Sequence, residues 1–259
     1  MKNYLVKQLY RSLFYPLLFL ALVWLVFYIQ NLRADHLTQL GVLPREARGL
    51  AGILLSVFIH NDFSHIASNS IPLLVLGLML FFFYRKIAVP AFIWIWLISG
   101  LWLWIGGRNN AQHPTYHIGA STLVYGLATF LFFSGVFRRH LQLMAASAMV
   151  VFMYGGIMWG IFPLKTEISW EGHLFGSLAG VLVAFNYREE GPQRRRYDWE
   201  NETDELELLQ EEALPDLAEE SGEAPIQLED NRITGYQIRY LYKEEKGEDK
   251  SPSSSDKSG

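Results

Sequence analysis

The sequence predicts an all-α, polytopic membrane protein: a six-transmembrane-helix bundle followed by an acidic tail. Two observations predict it, and a third narrows the chemistry. First, a bilayer core about 30 Å thick takes roughly 20 mostly apolar residues to cross as a helix. Six apolar runs approach that length, at Leu13–Gln30, Ile66–Tyr84, Val89–Ile105, Ile118–Phe137, Leu141–Phe162 and His173–Tyr187. Second, charge is divided sharply. Residues 1–187 hold five acids (Asp35, Glu46, Asp62, Glu167 and Glu171) against 12 Lys/Arg, a net of +7. Residues 188–259 hold 21 acids against 10 bases, a net of −11, so the overall −4 averages two unlike parts. Third, the chain has no cysteine, which excludes disulfide scaffolds, thiolate nucleophiles, iron–sulfur clusters and cysteine-ligated zinc.

Each element follows in order. Leu13–Gln30 has no small-residue cleavage site after it, so it reads as a span and not a signal peptide. Asn31 to about Ser64 is a long loop carrying an apolar stretch, Leu50–Phe58, too short to cross. Its composition is not that of disorder, so it is expected to fold against the membrane surface. Arg85–Ala88 and Arg138–His140 are tight turns. Trp94, Trp96, Trp102 and Trp104 of the third run read as packing and interface anchors. Gly155, Gly156 and Gly160 late in the fifth read as permitting helix packing or bending. The sixth run is short, about 15 residues, and calls for a thin patch of bilayer or burial by its neighbours. Two parts result: a membrane domain, 1–187, and an acidic tail, 188–259, expected to be mostly disordered. Within the tail, Asp204–Glu212 reads as a transient helix and Ile233–Tyr242 as either a short ordered stretch or a docking motif, for an unknown cytoplasmic partner.

Basic residues orient the bundle. Lys2, Lys7, Arg11, Arg85, Lys86, Arg138, Arg139, Arg188 and Arg194–Arg196 fall on one side, eleven against the five of the opposite loops. The richer side is expected to be cytoplasmic, with both termini inside and the chain in the plasma (inner) membrane.

Polar side chains within spans are costly and carry a functional hypothesis by default. His65 and Asn69 open the second span on one helix face, Ser121 opens the fourth and His173 the sixth. These three spans run from outside to inside, so the four residues share one depth near the outer face. Gly119 and Ala120 beside Ser121, and Gly176 and Gly180 on the His173 face, allow helices to approach closely. A serine hydroxyl needs a base within hydrogen-bond reach to become a nucleophile. His173 can serve and later protonate a leaving amine. The backbone N–H of Ser121, the Asn69 amide and the His65 ring are candidate donors to an oxyanion. With no acid in these spans, the set is a dyad. Two other classes stay open: a zinc hydrolase, from the His113…His117 spacing, and a non-catalytic transporter or scaffold. No cofactor, resident metal or nucleic-acid partner is expected.

His65…Asn69, Gly119-Ala120-Ser121 and His173…Gly176…Gly180, in this order and on these spans, resemble the rhomboid family of intramembrane serine proteases. The resemblance covers roughly residues 10–187. It implies Ser121 as nucleophile, His173 as base, and His65 and Asn69 at the oxyanion site. It also implies Tyr125 stacked on the catalytic imidazole and His60 organising the first outer loop. The expected substrates are transmembrane segments of other proteins, cut near the outer membrane face within the lipid bilayer. The Pro163–Glu171 loop and the fifth helix are then candidates for a moving cap and gate. Two departures stand out. Thr122 occupies the position after the serine, where the family usually has Gly, and is expected to crowd the contact of the fourth and sixth helices. The first outer loop lacks the Trp-Arg pair found in many members.

Overall fold

The computed structural model describes residues 2–33, 37–110, 112–153, 160–162 and 169–193. Among them are seven α-helices: α1 (Lys2–Arg33), α2 (Gly52–Leu55), α3 (Phe63–Phe83), α4 (Ala88–Gly106), α5 (Ser121–Phe137), α6 (Leu141–Met153) and α7 (Trp170–Asn186). The described residues hold no β-strand, and one isolated antiparallel bridge joins Val42 to His117. The expected all-α architecture is observed. Three helices are long and apolar enough to cross a membrane, over Asn3–Leu32, Phe63–Phe83 and Ala88–Gly106. Helices α5 and α7 have 17 residues each. Gly155 and Gly156, most of the Pro163–Glu171 loop, and the tail from 194 onward lie outside the described residues. So do the expectations for Asp204–Glu212 and Ile233–Tyr242.

Helix boundaries differ from the apolar runs where tertiary contacts extend them. Helix α1 starts at Lys2 because its polar first turns dock on α3. Gln8 Nε2 donates to the Phe82 carbonyl and Ser12 Oγ to that of Phe81, each at 3.1 Å. Helix α7 starts at Trp170, so Glu171 belongs to the helix and not to the preceding loop.

Helix α5 is the centre of the fold. Leu123, Val124, Leu127, Ala128, Phe130 and Leu131 are all buried, against Leu73, Leu76 and Leu80 of α3, Ala91 and Ile95 of α4, and Val183 and Ala184 of α7. A helix apolar on every side belongs in such a position. The α5–α7 contact is backbone to backbone. A Cβ on Gly176 would lie 2.2 Å from the Thr122 carbonyl oxygen, and one on Gly180 2.1 Å from that of Gly126. This is the close approach that the small-residue spacing predicts. Thr129 Oγ1 bridges the seam to the Ser177 carbonyl at 2.9 Å.

The long loop after α1 is folded, through turns at Leu37–Leu40, Ala47–Gly49 and Ser56–Phe58 around α2. Indole groups of α4 hold it, Trp96 Nε1 donating to the Ile53 carbonyl at 3.1 Å and Trp104 Nε1 to that of Glu46 at 3.0 Å. Arg45 adds Nη1 bonds to the Ile105 and Gly107 carbonyls, at 3.1 and 2.8 Å. Leu50, Leu54 and Leu55 remain exposed as an apolar face. At the opposite end of the bundle, buried Arg138 ties the end of α5 to the end of α7. Its Nη1 donates to Ser134 O at 3.2 Å, its Nε to Glu190 O at 3.1 Å and its Nη2 to Tyr187 O. The guanidinium lies 5.3 Å from the centre of the Tyr84 ring.

Candidate active site

Three helix starts build the site. Asp62 caps α3 by accepting the His65 N–H at 2.8 Å, which fixes the turn bearing His65 and sets Asn69 one turn below it. Ahead of α5, Gly119 takes φ +107, a conformation L side chains rarely adopt. Its N–H donates to the Ser56 carbonyl at 2.8 Å. A Cβ there would sit 2.7 Å from His65 Nε2 and 3.9 Å from Asn69 Nδ2. The α3 polar face therefore converges on the turn that delivers Ser121 as the first residue of α5. At that position a backbone N–H has no partner within its own helix.

The third start is α7. His173 Nε2 lies 2.9 Å from Ser121 Oγ, and its Nδ1 lies 2.8 Å from the Gly160 carbonyl oxygen. A carbonyl oxygen only accepts, so Nδ1 carries the hydrogen and Nε2 is left to accept from the serine hydroxyl. The Tyr125 ring stacks on the imidazole, centroids 4.1 Å apart and planes 8° from parallel. The packing or bending role expected of Gly160 agrees with the lack of room for a side chain there; in addition, its carbonyl fixes the His173 tautomer. A Cβ on Gly160 would lie 2.0 Å from Tyr125 Oη and 2.8 Å from His173 Nδ1.

The remaining candidates are also accounted for. Asn69 is buried, and its Nδ2 has no hydrogen-bond partner, an open donor that costs about 1–3 kcal/mol when nothing satisfies it. His60 is 0 % exposed; its Nε2 accepts the Ala120 N–H at 3.3 Å, and Gln30 Nε2 donates to its carbonyl at 3.0 Å. It thus joins the long loop to the serine turn. Burial, and then the neighbouring His65, push its imidazole down to about 4, so it is neutral at physiological pH. Gly172 faces Thr122, a Cβ on it lying 2.7 Å from Thr122 Oγ1. A residue without a side chain thereby takes up the expected crowding. His117 engages both ring nitrogens, Nδ1 with Ser169 Oγ at 2.6 Å and Nε2 with Arg108 O at 2.9 Å. The His113…His117 spacing therefore does not leave a pair of free ligands.

The sequence reading assigns none of Ser169, His117, Arg108 and Glu171 to this site: His117 stands there as a candidate zinc ligand with His113, and Glu171 as the end of the Pro163–Glu171 loop. Glu171 is 2 % exposed and ion-paired with Arg108. The available signal was an acid in the first turn of a helix, where the helix dipole favours it.

Comparison with known proteins supplies the family. The Rhomboid domain model matches residues 47–190. "Uncharacterized protein Mb1372" of Mycobacterium bovis is 36% identical over 187 residues, 69% of this chain and 75% of that protein. "Uncharacterized protein ML1171" of Mycobacterium leprae is 37% identical over 185 residues, 69% of this chain and 72% of its own. The Bacillus subtilis protein named "Putative rhomboid protease YdcA" is 26% identical over 184 residues, 69% of this chain and 89% of its own. The matched region contains all of α3 to α7, and with them every side chain that meets around Ser121: the chain belongs to the rhomboid family.

Proposed function

We propose that this protein is an intramembrane serine endopeptidase that cleaves transmembrane segments of other membrane proteins through Ser121 and His173. One observation carries the reading: the aligned series Ser121 Oγ, His173 Nε2, His173 Nδ1 and Gly160 O, at 2.9 and 2.8 Å. His173 is held in the tautomer that can take a proton from Ser121 as the hydroxyl attacks a substrate carbonyl. Negative charge then develops on the carbonyl oxygen. The open Asn69 amide, the His65 ring and the Ser121 N–H are the donors available to it. Collapse expels the amine, which takes the proton from His173 and leaves an acyl-enzyme at Ser121. Water, deprotonated by the same imidazole, releases the acid. The work of an acid in a triad falls here to a neutral carbonyl.

The membrane setting belongs to this reading. Six spans, with both termini in the cytoplasm and the chain in the plasma membrane, put Ser121 near the outer face. At 1.5 Å per residue, the 17 residues of α5 and of α7 span only about 25 Å. That is less than the ~30 Å core, so the helix starts lie below the surface with water reaching them from above. A transmembrane helix must unwind there before its peptide bond is open to attack.

The test uses purified protein with a fluorophosphonate probe and a model single-span substrate. Wild type is expected to label and to cleave, and Ser121→Ala to do neither. Labelling or cleavage that persists in Ser121→Ala overturns the reading, and chelator-sensitive cleavage in that variant would move it to metal chemistry.

A further inference from the structure

The first turn of α7 is held by a second set of contacts, none of which touches Ser121. Ser169 caps the helix: its Oγ accepts the Gly172 N–H at 3.3 Å, and its carbonyl accepts the N–H of His173 itself at 3.4 Å. The cap is gripped from the loop between α4 and α5. His117 Nε2 faces the Arg108 carbonyl at 2.9 Å, an acceptor only, so Nε2 carries the hydrogen and Nδ1 accepts the Ser169 hydroxyl at 2.6 Å. Burial pushes the His117 imidazole below its ordinary value, which keeps Nδ1 free to accept. The His117 backbone is itself pinned to the long loop by two bonds with Val42, at 2.9 and 2.8 Å. The Arg108 guanidinium then reaches Glu171, two residues before His173. Neither Glu171 oxygen has a well-formed hydrogen bond. Charge pairing with Arg108 is therefore what offsets its burial, and a buried carboxylate without its cation is strongly disfavoured.

We infer that Ser169, His117, Arg108 and Glu171 are positioning residues for His173, through which the α4–α5 loop sets the height and rotation of the α7 first turn against Ser121. This rests on the protease reading above. The convergence argues for it. Both attachments, the Ser169 cap and the Glu171 carboxylate, fall within four residues of His173 on the chain. On its other side, among the described residues, the imidazole is held by the Gly160 carbonyl and the Tyr125 ring. A cap that only stabilised the helix would need neither the buried acid nor a histidine bonded at both nitrogens.

The full chain in proteoliposomes provides the test, reading the labelling rate at Ser121, kcat and KM for a single-span substrate, and thermal unfolding. Misplacement of a reacting group by about 1 Å costs roughly a hundredfold in rate. Ser169→Ala, a partial release, is expected to lower kcat and the labelling rate about tenfold with KM within about twofold. Ser169→Thr keeps a capping hydroxyl and is expected to restore both. Arg108→Ala is expected to lose rate, Arg108→Lys to keep most of it, and Arg108→Ala/Glu171→Gln to regain part of what Arg108→Ala loses. Wild-type kcat and labelling in Ser169→Ala and Arg108→Ala overturn the inference. So does a change confined to the unfolding temperature or to KM. If Ser169→Ala does not fold, the Arg108 and Glu171 variants decide by the same criteria. Failure of Ser121→Ala to abolish labelling overturns the protease reading instead, and is seen before any positioning variant is read.

Discussion

Arg138 and Asn69 are both buried polar residues of one helical bundle, and they are provided for in opposite ways. Around Arg138, the Nε, Nη1 and Nη2 groups each reach a backbone carbonyl, and the guanidinium covers an aromatic ring. Close to Ser121, by contrast, Asn69 Nδ2 has no hydrogen-bond partner among the described residues. Buried polar groups are normally satisfied, so an open one asks for an explanation. The difference separates two uses of polarity in an apolar bundle. The saturated Arg138 locks helices together; on the protease reading proposed above, the open Asn69 amide holds a place for charge that develops during reaction.

Substitutions can break this comparison. The largest effect on stability is expected at the saturated end. Arg138→Ala leaves the Ser134, Tyr187 and Glu190 carbonyls short of a donor and should destabilise the fold by roughly 4 kcal/mol. The folded fraction should keep its kcat. Unfolding in mixed micelles, paired with kinetics on the folded protein, checks it; a loss of rate without a loss of stability would erase the distinction between the ends.

Next is a pH effect at the open end. The His60 imidazole, lowered to about 4 by burial and by His65, binds fewer protons folded than unfolded between that value and about 6.5. Its contribution is therefore complete above about 6.5 and is lost as pH falls towards 4, up to roughly 3 kcal/mol. His117, also lowered by burial, acts in the same direction. Denaturant unfolding at pH 7.5 and 4.5 measures the sum, and equal stability at both would contradict a neutral buried His60.

Smaller in energy are two losses of rate. Gly160→Ala pushes a methyl group against Tyr125 Oη and His173 Nδ1 and is expected to slow labelling of Ser121 about a hundredfold. On the proposed mechanism Asn69→Ala removes an oxyanion donor and should lower kcat by about a hundredfold. Because that donor is unpartnered in the folded protein, stability should stay within about 1 kcal/mol. A marked loss of stability in Asn69→Ala would show that the amide is structural, and would bring the two ends of the bundle back into one class.

Much of this was legible in the sequence, for definite reasons. The all-α class follows from six apolar runs, and the meeting of His65, Asn69, Ser121 and His173 from their common place at the starts of three helices expected to run in one direction. Gly119, Gly176 and Gly180 declared themselves by spacing, since close approach removes side chains on one face. The groups around them did not. Gly160 acts through its carbonyl, which every residue possesses, so no residue type could mark it. Glu171 looked like a loop acid because the apolar run begins only at His173, whereas the Ser169 cap starts the helix three residues earlier. The contacts of Arg108 and His117 were not legible for a third reason: they reach α7 across 63 and 52 residues of chain, and local pattern does not encode such pairings. The early start of α1 has the same origin, in the bonds of Gln8 and Ser12 to α3.

The grip of Arg138 on Tyr187 and Glu190 also has a mechanical meaning. It works as a cable clamp at the point where the chain leaves α7. A pull on whatever follows Glu190 meets the guanidinium, seated on the end of α5, before it reaches the helix that carries His173. Cargo fused beyond that point is therefore expected to leave the 2.9 Å contact of Ser121 and His173 unchanged.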